Sequence, residues 1–416
     1  MRRFLAACGF LLRPRWAGRT DLVPEYEKAF AATLLGDASV PALAFWRGRV
    51  ALWAILRAAG VSSGDEVVLP AYTCEMVPAA VKFAGGTCVY VDAAPGGFNC
   101  AVDDLCRAVT GRTRAIICQH TYGVAMPVID LARFAAERGI TLIEDCCHLI
   151  TPEARFAGVA AAGHAAIFST QWNKPFSTGL GGMATFRDAA LHEAVRRIRD
   201  GFPAGGDRSR SRSLALQVAM YDLTVSPATQ HLAARLYRWT QRRRLLRGST
   251  QPDEYGQEMP AGYLSGPTNV QAALGIEALG RWRENVEHRR RLTEFYLGRL
   301  AEMGIDVAAM RAGSGAPALW CVPVFVENMD EMLRLAGKAG VPLATWFGEL
   351  PAHAAPDKAA RYDYRLGQCP RAEWMFLREV NLLTWSAATL EAAEGALALI
   401  EKHAQLAHSE QIGLGR

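Results

Sequence analysis

One lysine of this sequence lies between an apolar segment and a glycine-rich turn. Lys174 falls within residues 168–183, which read FSTQWNKPFSTGLGGM. A lysine on a solvated surface has no need of this setting. Covalent amine chemistry does, because the amine must approach a cofactor aldehyde in a fixed geometry and with a lowered pKa. The pattern therefore predicts an amine that bonds to a carbonyl.

An acidic residue follows an apolar segment upstream of Lys174. Asp145 comes directly after Ile143 and Glu144. Pyridoxal phosphate (PLP) works as an electron sink only while its pyridine nitrogen stays protonated, and a buried carboxylate opposite that nitrogen keeps the proton there. Asp145 can play this part, although a lone aspartate at a strand end is more often a helix cap.

A glycine begins an apolar helical segment near the N-terminus. Gly48 stands between Arg47 and Arg49, and apolar residues follow at 50–52. The first N–H groups of a helix can bind a phosphate. Alone, this signal favours an ordinary helix start, so the phosphate interpretation gains weight only beside Lys174 and Asp145.

The elements that must position these residues are strands of a parallel sheet. From residue 47 to about residue 186, short β-branched segments alternate with helical patterns such as 128–138. Ligands of such sheets bind beyond the carboxyl ends of the strands, where Asp145 and Ser169 fall and Lys174 follows. The predicted strands are residues 66–69, 88–91, 115–119, 141–144, 165–169 and 182–186.

The C-terminal part is predicted to be a small α+β domain. A long helix is expected from Asn269 to Tyr296, then a strand at 319–325 and helices at 329–339 and 390–403. The expected division is an N-terminal arm (1–40), a large domain (41–265) with a basic insertion (205–258), and the long helix with a small domain (266–416).

The basic insertion carries a cluster of arginines with apolar residues between them. A solvated basic face on an extra helix explains this composition, and a surface for an anionic membrane or a phosphorylated substrate is the alternative. The arginines are Arg235, Arg238, Arg242, Arg243, Arg244 and Arg247.

Composition excludes several other classes of protein. Hydrophobic residues make up 50% of the chain and the net charge is +5, which is typical of a globular protein and disfavours a dedicated nucleic-acid binder. The ten cysteines form no CxxC pair and no zinc spacing, so we expect reduced thiols and no metal in a cytoplasmic protein. The apolar segment after Met1 lacks a convincing cleavage site, which favours a packed N-terminal arm.

Taken together, the motifs resemble the DegT/StrS family of PLP-dependent aminotransferases, which mostly act on nucleotide-linked keto sugars. The resemblance runs in matching order from about residue 45 to residue 300. It rests on GDEV and PAYT at 64–73, HTYG at 120–123, Asp145 to His148, and the pattern FS-x(4)-K-x(4)-G-x-GG at 168–182, which is the most specific.

The resemblance implies the α/β fold of type I PLP-dependent transferases, similar to aspartate aminotransferase, with a mostly parallel central sheet in the large domain. It also implies a homodimer with each active site at the subunit interface. Lys174 would be the Schiff-base lysine and would shuttle the substrate proton. Asp145 would pair with the pyridine nitrogen, and His148 would lie against the ring.

The resemblance implies a phosphate cup as well. The hydroxyl of Ser169 and the backbone of Gly48 and Arg49 would bind the phosphate. Arg49 replaces the small hydroxyl residue usual in the family, so its guanidinium would add a charged contact.

Three positions depart from the family pattern. Cys74 stands where an aromatic ring usually stacks on the cofactor, and Tyr72 is the candidate to replace that ring. Leu264 and Gly266 stand where an Asn-x-Arg pair usually precedes the helix, which weakens the expectation of the usual sugar-nucleotide pocket. Leu180 takes the place of a common acidic residue.

Among the remaining candidates, Trp172 is expected at the site because it lies two residues before Lys174, and His164 is expected to be structural. The function that the resemblance implies is ping-pong transfer of an amino group from glutamate or glutamine to a keto group of a nucleotide-sugar or related carbohydrate-derived acceptor. A lipid-linked or other acceptor, and a non-catalytic member of the fold, are the alternatives. A family dehydratase is disfavoured because it carries His in place of Lys174. We expect a cytoplasmic protein, with peripheral contact to the inner membrane through residues 231–247 as an option.

Overall fold

The computed structural model describes residues 7–11, 21–149, 158–172, 174–202, 208–224, 259–260, 262–311, 317–345, 356–385 and 387–407. The arginine cluster at 231–247, and with it the predicted membrane contact, lies outside these residues. In the part that is described, no helix is long and apolar enough to cross a membrane.

A seven-stranded sheet forms the centre of the molecule. Its order is β1-β7-β6-β5-β4-β2-β3, in which β3, β2, β4, β5 and β6 are parallel neighbours and β7 is antiparallel to both β1 and β6. The strands are β1 (Ala42–Phe45), β2 (Glu66–Pro70), β3 (Thr87–Val91), β4 (Thr113–Gln119), β5 (Thr141–Asp145), β6 (Ala165–Ser169) and β7 (Gly182–Phe186). The six predicted strands and the mostly parallel sheet are confirmed.

The alternation of side chains along each strand explains why the sheet is covered on both faces. In β4, Ile117 belongs to one hydrophobic cluster and its neighbour Ile116 to another. The first cluster includes Ile55 and Val81 from helices α2 (Gly48–Ala58) and α3 (Met76–Ala84). The second includes Leu131 from helix α5 (Ile129–Glu137). Both faces need apolar cover, which is why the strands read as continuous hydrophobic segments.

The other helices connect or cover these strands. Helix α5 (Ile129–Glu137) confirms the periodicity at 128–138. Helix α7 (Arg208–Thr224) is the described portion of the basic insertion, and its Arg210 donates a hydrogen bond to Ser265 Oγ at 3.3 Å. Helices α1 (Val23–Phe30), α4 (Val102–Arg107) and α6 (Ala189–Asp200) also precede residue 225.

The long helix predicted from Asn269 is wrong in one respect, because two helices occupy this stretch. Helix α8 (Asn269–Gly280) ends in a glycine, and helix α9 (Trp282–Glu302) begins two residues later. Between them Arg281 has φ −109° and ψ 11°, and its N–H bonds back to Ala278 O. Glycine is a poor helix former and a common helix end, so the chain bends where the apolar periodicity continues.

A second, three-stranded antiparallel sheet follows, in the order β8-β10-β9. Its strands are β8 (Cys321–Phe325), β9 (Leu343–Ala344) and β10 (Glu379–Leu383), and its helices are α10 (Ala308–Arg311), α11 (Met329–Ala339), α12 (Pro356–Arg361), α13 (Pro370–Phe376) and α14 (Leu390–His403). The predicted strand and the two predicted helices, α11 and α14, are thus present. One hydrophobic cluster contains Tyr72 and Tyr122 of the large sheet's edge together with Val322 and Val380 of the small sheet. The domain boundaries themselves stay a prediction.

Candidate active site

The carboxyl ends of β5 and β6 bring the predicted catalytic residues to one edge of the sheet. Asp145 is the last residue of β5 and pairs in register with Ile167 of β6, which ends at Ser169. Lys174 follows β6 by five residues. The carboxylate of Asp145 lies near enough to the amine of Lys174 to affect the pKa of the lysine.

Lys174 is almost completely removed from solvent. Its exposed fraction is 9%, and burial lowers the pKa of its amine. The carboxylate of Asp145 opposes this shift, because an anionic neighbour favours the ammonium form. A buried lysine with a lowered pKa is the form that acts as a nucleophile and a base.

Asp145 is held by the backbone that follows it. Its exposed fraction is 5%, and its Oδ1 accepts a hydrogen bond from the N–H of Cys147 at 2.9 Å. Its backbone carbonyl accepts from the N–H of His120 at 3.1 Å. These two bonds fix the direction of a carboxylate at the end of the strand.

His148 is a neutral ring with an assignable tautomer. Its Nδ1 accepts a hydrogen bond from the N–H of Tyr122 at 3.2 Å, so the ring proton lies on Nε2. Burial, and then the charge of Lys174, hold the pKa of His148 well below its usual range. The residue therefore offers one N–H donor rather than a positive charge.

The predicted phosphate cup falls at the start of helix α2, and its role stays a prediction. Arg47 is extended (φ −147°, ψ 146°) and the helix begins at Gly48, so the first N–H groups have no partner within the helix. A Cβ placed on Gly48 would lie 3.5 Å from the Cα of Ser169, and one placed on Gly182 would lie 2.3 Å from the Cα of Gly48. Position 182 therefore needs glycine for the strand to pass the helix start.

The donors gathered here suit PLP. A helix N-terminus, the Ser169 hydroxyl and the nine-tenths buried guanidinium of Arg49 suit a phosphate, while Lys174 and Asp145 suit an aldehyde and a ring nitrogen. The sequence-predicted residues Gly48, Ser169, Asp145 and Lys174 thus come together from three strand or helix ends.

The glycine-rich turn after Lys174 is held from inside. The Thr170 and Thr178 hydroxyls lie 2.8 Å apart, and the N–H of Thr170 bonds to Gly181 O at 3.1 Å. Gln271 of helix α8 donates to Leu180 O at 2.7 Å. Leu180 itself is buried in an apolar cluster, which explains how the turn closes without the acidic residue common in the family.

Two of the departures can now be judged. Cys74 is half-buried near Lys174 and Arg49, whose charges partly oppose the upward shift that burial causes in the pKa of its thiol. Tyr72 does not replace the missing ring: its hydroxyl bonds to Glu379 and lies 2.6 Å from that of Tyr122, and its ring packs 4.6 Å from Phe376. The interpretation of Tyr72 as a stacking residue is therefore wrong.

Two further expectations have different outcomes. Trp172 packs on Tyr221 of helix α7, with ring centroids 5.1 Å apart, so it supports the insertion helix, and its expected place at the site stays a prediction. His164 is structural as expected, since its Nδ1 accepts the N–H of Leu142 at 3.0 Å. Leu264 is 37% exposed, so the position of the missing polar pair is open to solvent.

Sequence reasoning missed residues that the C-terminal part brings to the site. Trp320, just before β8, stacks on His148 with ring centroids 4.5 Å apart and an angle of 15°. The Nζ of Lys174 lies 5.5 Å from the centroid of the same indole. No local spacing could indicate this, because the signal is only an isolated tryptophan far along the chain.

Comparison with known proteins gives consistent results. Curated relatives include the GDP-perosamine synthases of Escherichia coli O157:H7 (34% identical over 35% of this chain) and Caulobacter vibrioides (29% over 81%). The alignments span 40% and 78% of those proteins. Similar solved structures include a DegT DnrJ EryC1 StrS aminotransferase from Brucella abortus (21% identity, 96% of this chain and 95% of that one, TM-score 0.70). NtdA from Bacillus subtilis with bound cofactor PMP is another (20% identity, 97% and 82%, TM-score 0.68).

The solved structures share the fold predicted from the motifs. A family model described as the DegT/DnrJ/EryC1/StrS aminotransferase family matches residues 2–249 and 245–400. These ranges cover nearly the whole chain. The chain therefore belongs to the DegT/DnrJ/EryC1/StrS aminotransferase family, as its motifs indicated.

Proposed function

We propose that this protein transfers an amino group from glutamate or glutamine to the keto group of a nucleotide-sugar or related carbohydrate-derived acceptor in two half-reactions. The enzyme class and the PLP cofactor follow from membership of the aminotransferase family. The observation that carries the proposal is the buried amine of Lys174, whose pKa is lowered by burial at the strand edge that also holds Asp145 and His148.

The roles of the chain's own residues follow from their surroundings. Bound PLP supplies the electron sink and stores the amino group between the half-reactions. Lys174 holds and moves a proton at Nζ, since its lowered pKa makes the neutral amine more accessible near neutral pH. Asp145 would pair with the ring nitrogen of the bound cofactor, and His148 would donate from Nε2 without adding charge.

The phosphate cup serves to anchor rather than to react. The N–H groups at Gly48 and Arg49, the hydroxyl of Ser169 and the Arg49 guanidinium would bind the phosphate dianion. An anchored phosphate fixes the distance between the reacting carbon and Lys174, which supplies the orientation that such reactions need.

The acceptor class is supported by the names of the relatives. Both aligned relatives are GDP-perosamine synthases, which favours a sugar carried on a nucleotide. The exposed Leu264, in place of a polar residue, favours some change in the way the acceptor is held. A lipid-linked or other keto acceptor is the second candidate for this reason.

The first test is chemical trapping. Purified protein is incubated with PLP, reduced with borohydride and digested, and the masses of the peptides are measured by mass spectrometry. We expect a pyridoxyl label on Lys174 that L-glutamate prevents when added before reduction, since the amino group then resides on the cofactor. A label on another lysine, or none, would contradict the proposal. Nucleotide-linked and free keto sugars are then compared as acceptors.

The assembly and location are further parts of the proposal. We infer a cytoplasmic homodimer, on the strength of the family resemblance, with the active sites at the subunit interface. Contact with a membrane through residues 231–247 rests on composition alone. Flotation with phosphatidylglycerol vesicles, before and after changing the arginines of that segment to Ser, tests it, and unchanged flotation would contradict it.

A further inference from the structure

We infer that Trp320 is the aromatic wall of this active site and a positioning residue for both His148 and Lys174. The inference rests on the proposed function, because it takes Lys174 as the cofactor lysine. It assigns to the C-terminal part of the chain the ring that position 74 lacks.

The indole of Trp320 lies close to both His148 and Lys174. It lies nearly parallel to the imidazole of His148, at 15° and 4.5 Å between centroids. Its centroid lies 5.5 Å from the Nζ of Lys174, within the range of a cation–π contact. Only 6% of Trp320 is exposed, so the contact is desolvated, which strengthens it.

One strained residue holds both aromatic partners. The N–H of Tyr122 donates to Nδ1 of His148 at 3.2 Å, and its carbonyl accepts the N–H of Trp320 at 2.9 Å. Tyr122 has φ 59° and ψ 3°, a left-handed conformation that residues with a side chain rarely adopt. Strain of this kind persists where the surroundings impose it, and it collects at functional sites.

The backbone carbonyl of Trp320 is held by hydrogen bonds as well. Its carbonyl accepts from Arg289 Nη1 at 3.2 Å and from Thr384 Oγ1 at 2.7 Å. Arg289 is 2% exposed. A surface tryptophan that merely filled a gap would not need a buried arginine and a hydroxyl on its carbonyl, so the backbone specifies where this indole lies.

The indole adds a contact of its own to the electrostatics around Lys174. The face of an indole attracts a cation, so Trp320 favours the ammonium form and offsets part of the cost of burial. Position 74, which usually carries the ring, supplies only a thiol. The titratable groups that act on Lys174 or on its neighbour His148 are Asp145, Cys147, Cys74, Cys321 and the two residues themselves.

The test compares two substitutions that remove the ring with one that keeps it. Trp320→Leu and Trp320→Met remove the indole, and the second keeps a longer and more flexible side chain. Trp320→Phe retains an aromatic face. The control is Trp374→Leu, because Trp374 lies in the same part of the fold and also packs on an aromatic ring and an arginine, with Arg378 Cζ 5.3 Å from its centroid.

Two measurements are made on each full-length variant with PLP as the probe. The rate of PLP attachment is followed against pH, and the dissociation constant of PLP is obtained by titration. Without the indole we expect the midpoint of the pH profile to fall by about 0.5 pH unit, since the ammonium form loses support. We expect PLP to bind about 5-fold more weakly. Trp320→Phe should restore most of the pH midpoint and most of the affinity for PLP, and Trp374→Leu should match the wild type in both measurements.

The outcomes separate this inference from the proposed function. A wild-type protein that never attaches PLP contradicts the proposed function. If the wild type attaches PLP, an unchanged pH midpoint in both ring-removing variants overturns the role of Trp320. Equal effects of Trp320→Leu and Trp374→Leu overturn it as well. A lowered midpoint that Trp320→Phe restores supports it, because loss of packing alone would admit water around Lys174 and raise the midpoint rather than lower it.

Discussion

Glu144 and Asp145 are neighbours at the end of β5, and alternation along the strand sends their side chains to opposite faces of the sheet. One histidine is associated with each carboxylate, His120 with Glu144 and His148 with Asp145, and all four residues are buried. Glu144 lies with His120, whereas Asp145 comes three residues before His148 in the segment that approaches Lys174. The two regions share residue types and burial, and differ in what their polar atoms bind.

The Glu144 region is saturated by backbone donors. Both carboxylate oxygens of Glu144 accept hydrogen bonds from backbone N–H groups, and Oε2 also lies 3.2 Å from Nε2 of His120. Nδ1 of His120 accepts the N–H of Met126 at 3.1 Å. The backbone donors to the carboxylate are the N–H groups of Ala160 at 2.7 Å, Ala162 at 3.1 Å and Gly163 at 2.7 Å.

This saturation also bears on metal binding. His120, Glu144 and Cys146 place ligand atoms within 4.8 Å of one another, as a metal site would. The imidazole and the carboxylate are already committed to N–H groups of the backbone, so a cation would have to displace several hydrogen bonds. We therefore interpret the Glu144 region as a structural clamp on the turn from Gly158 to Gly163.

The Asp145 region keeps capacity for a ligand. Among the described residues its carboxylate accepts one backbone N–H, from Cys147, and His148 carries its ring proton on Nε2. The lesson is that burial and residue type do not separate structure from chemistry; the number of backbone partners does. The predictions below test this contrast, beginning with the largest expected effect.

Replacing the amine should abolish the reaction. Lys174→Ala is expected to lower the rate of amino transfer by about 10³-fold or more, because it removes the amine that would both bond to the cofactor and move the proton. The exposed lysine Lys338, changed to Ala, serves as the control. Residual transfer at a tenth of the wild-type rate would remove Lys174 from the centre of the site.

Removing the negative charge of the Asp145 side chain should affect activity far more than stability. Asp145→Asn is expected to slow amino transfer by about 10²-fold, as the loss of one preorganised electrostatic partner does. The amide oxygen can still accept the Cys147 N–H, so urea unfolding should change by less than about 1 kcal/mol. A large loss of stability with normal turnover would reverse the roles assigned to the two regions.

The neighbouring carboxylate should respond in the opposite way. Glu144→Gln is expected to destabilise the protein by about 3 kcal/mol, since an amide N–H₂ would face backbone donors that are buried and would lose their acceptor. Turnover of the folded fraction should stay close to that of the wild type. Steady-state kinetics and urea unfolding on one preparation check both halves, and a normal unfolding midpoint would contradict the clamp.

The smallest expected effect concerns pH. The pKa of His148 is lowered in the folded state, so its contribution to stability is complete above the unfolded value of about 6.5 and is lost as pH falls below it. We expect this loss to approach at most about 1.4 kcal/mol per pH unit between pH 6.5 and 5.5. His148→Gln should lose less stability over this interval, as measured by urea unfolding. Parallel pH curves for both proteins would show that His148 titrates normally.

Local patterns were sufficient for much of the architecture and part of the site. The strands that end at Asp145 and Ser169 were predictable because a strand buried on both faces must be continuously apolar, and this signal is local. The bend at Arg281 was missed because the apolar periodicity continues through Gly280. Tyr72 was assigned from its place beside Cys74 in the chain, which does not determine the direction of a ring.

The sequence by itself determined which chemistry this protein can perform, since the spacing of Lys174, Asp145 and Gly48 depends on strand and helix ends that local residues specify. Tertiary structure alone decided what surrounds that chemistry. The contact of Trp320 with Lys174 and the bonds of Tyr72 and Tyr122 to Glu379 join segments that are distant in the chain. Such contacts arise from the packing of the small sheet against the large one, and no short stretch of residues encodes that geometry.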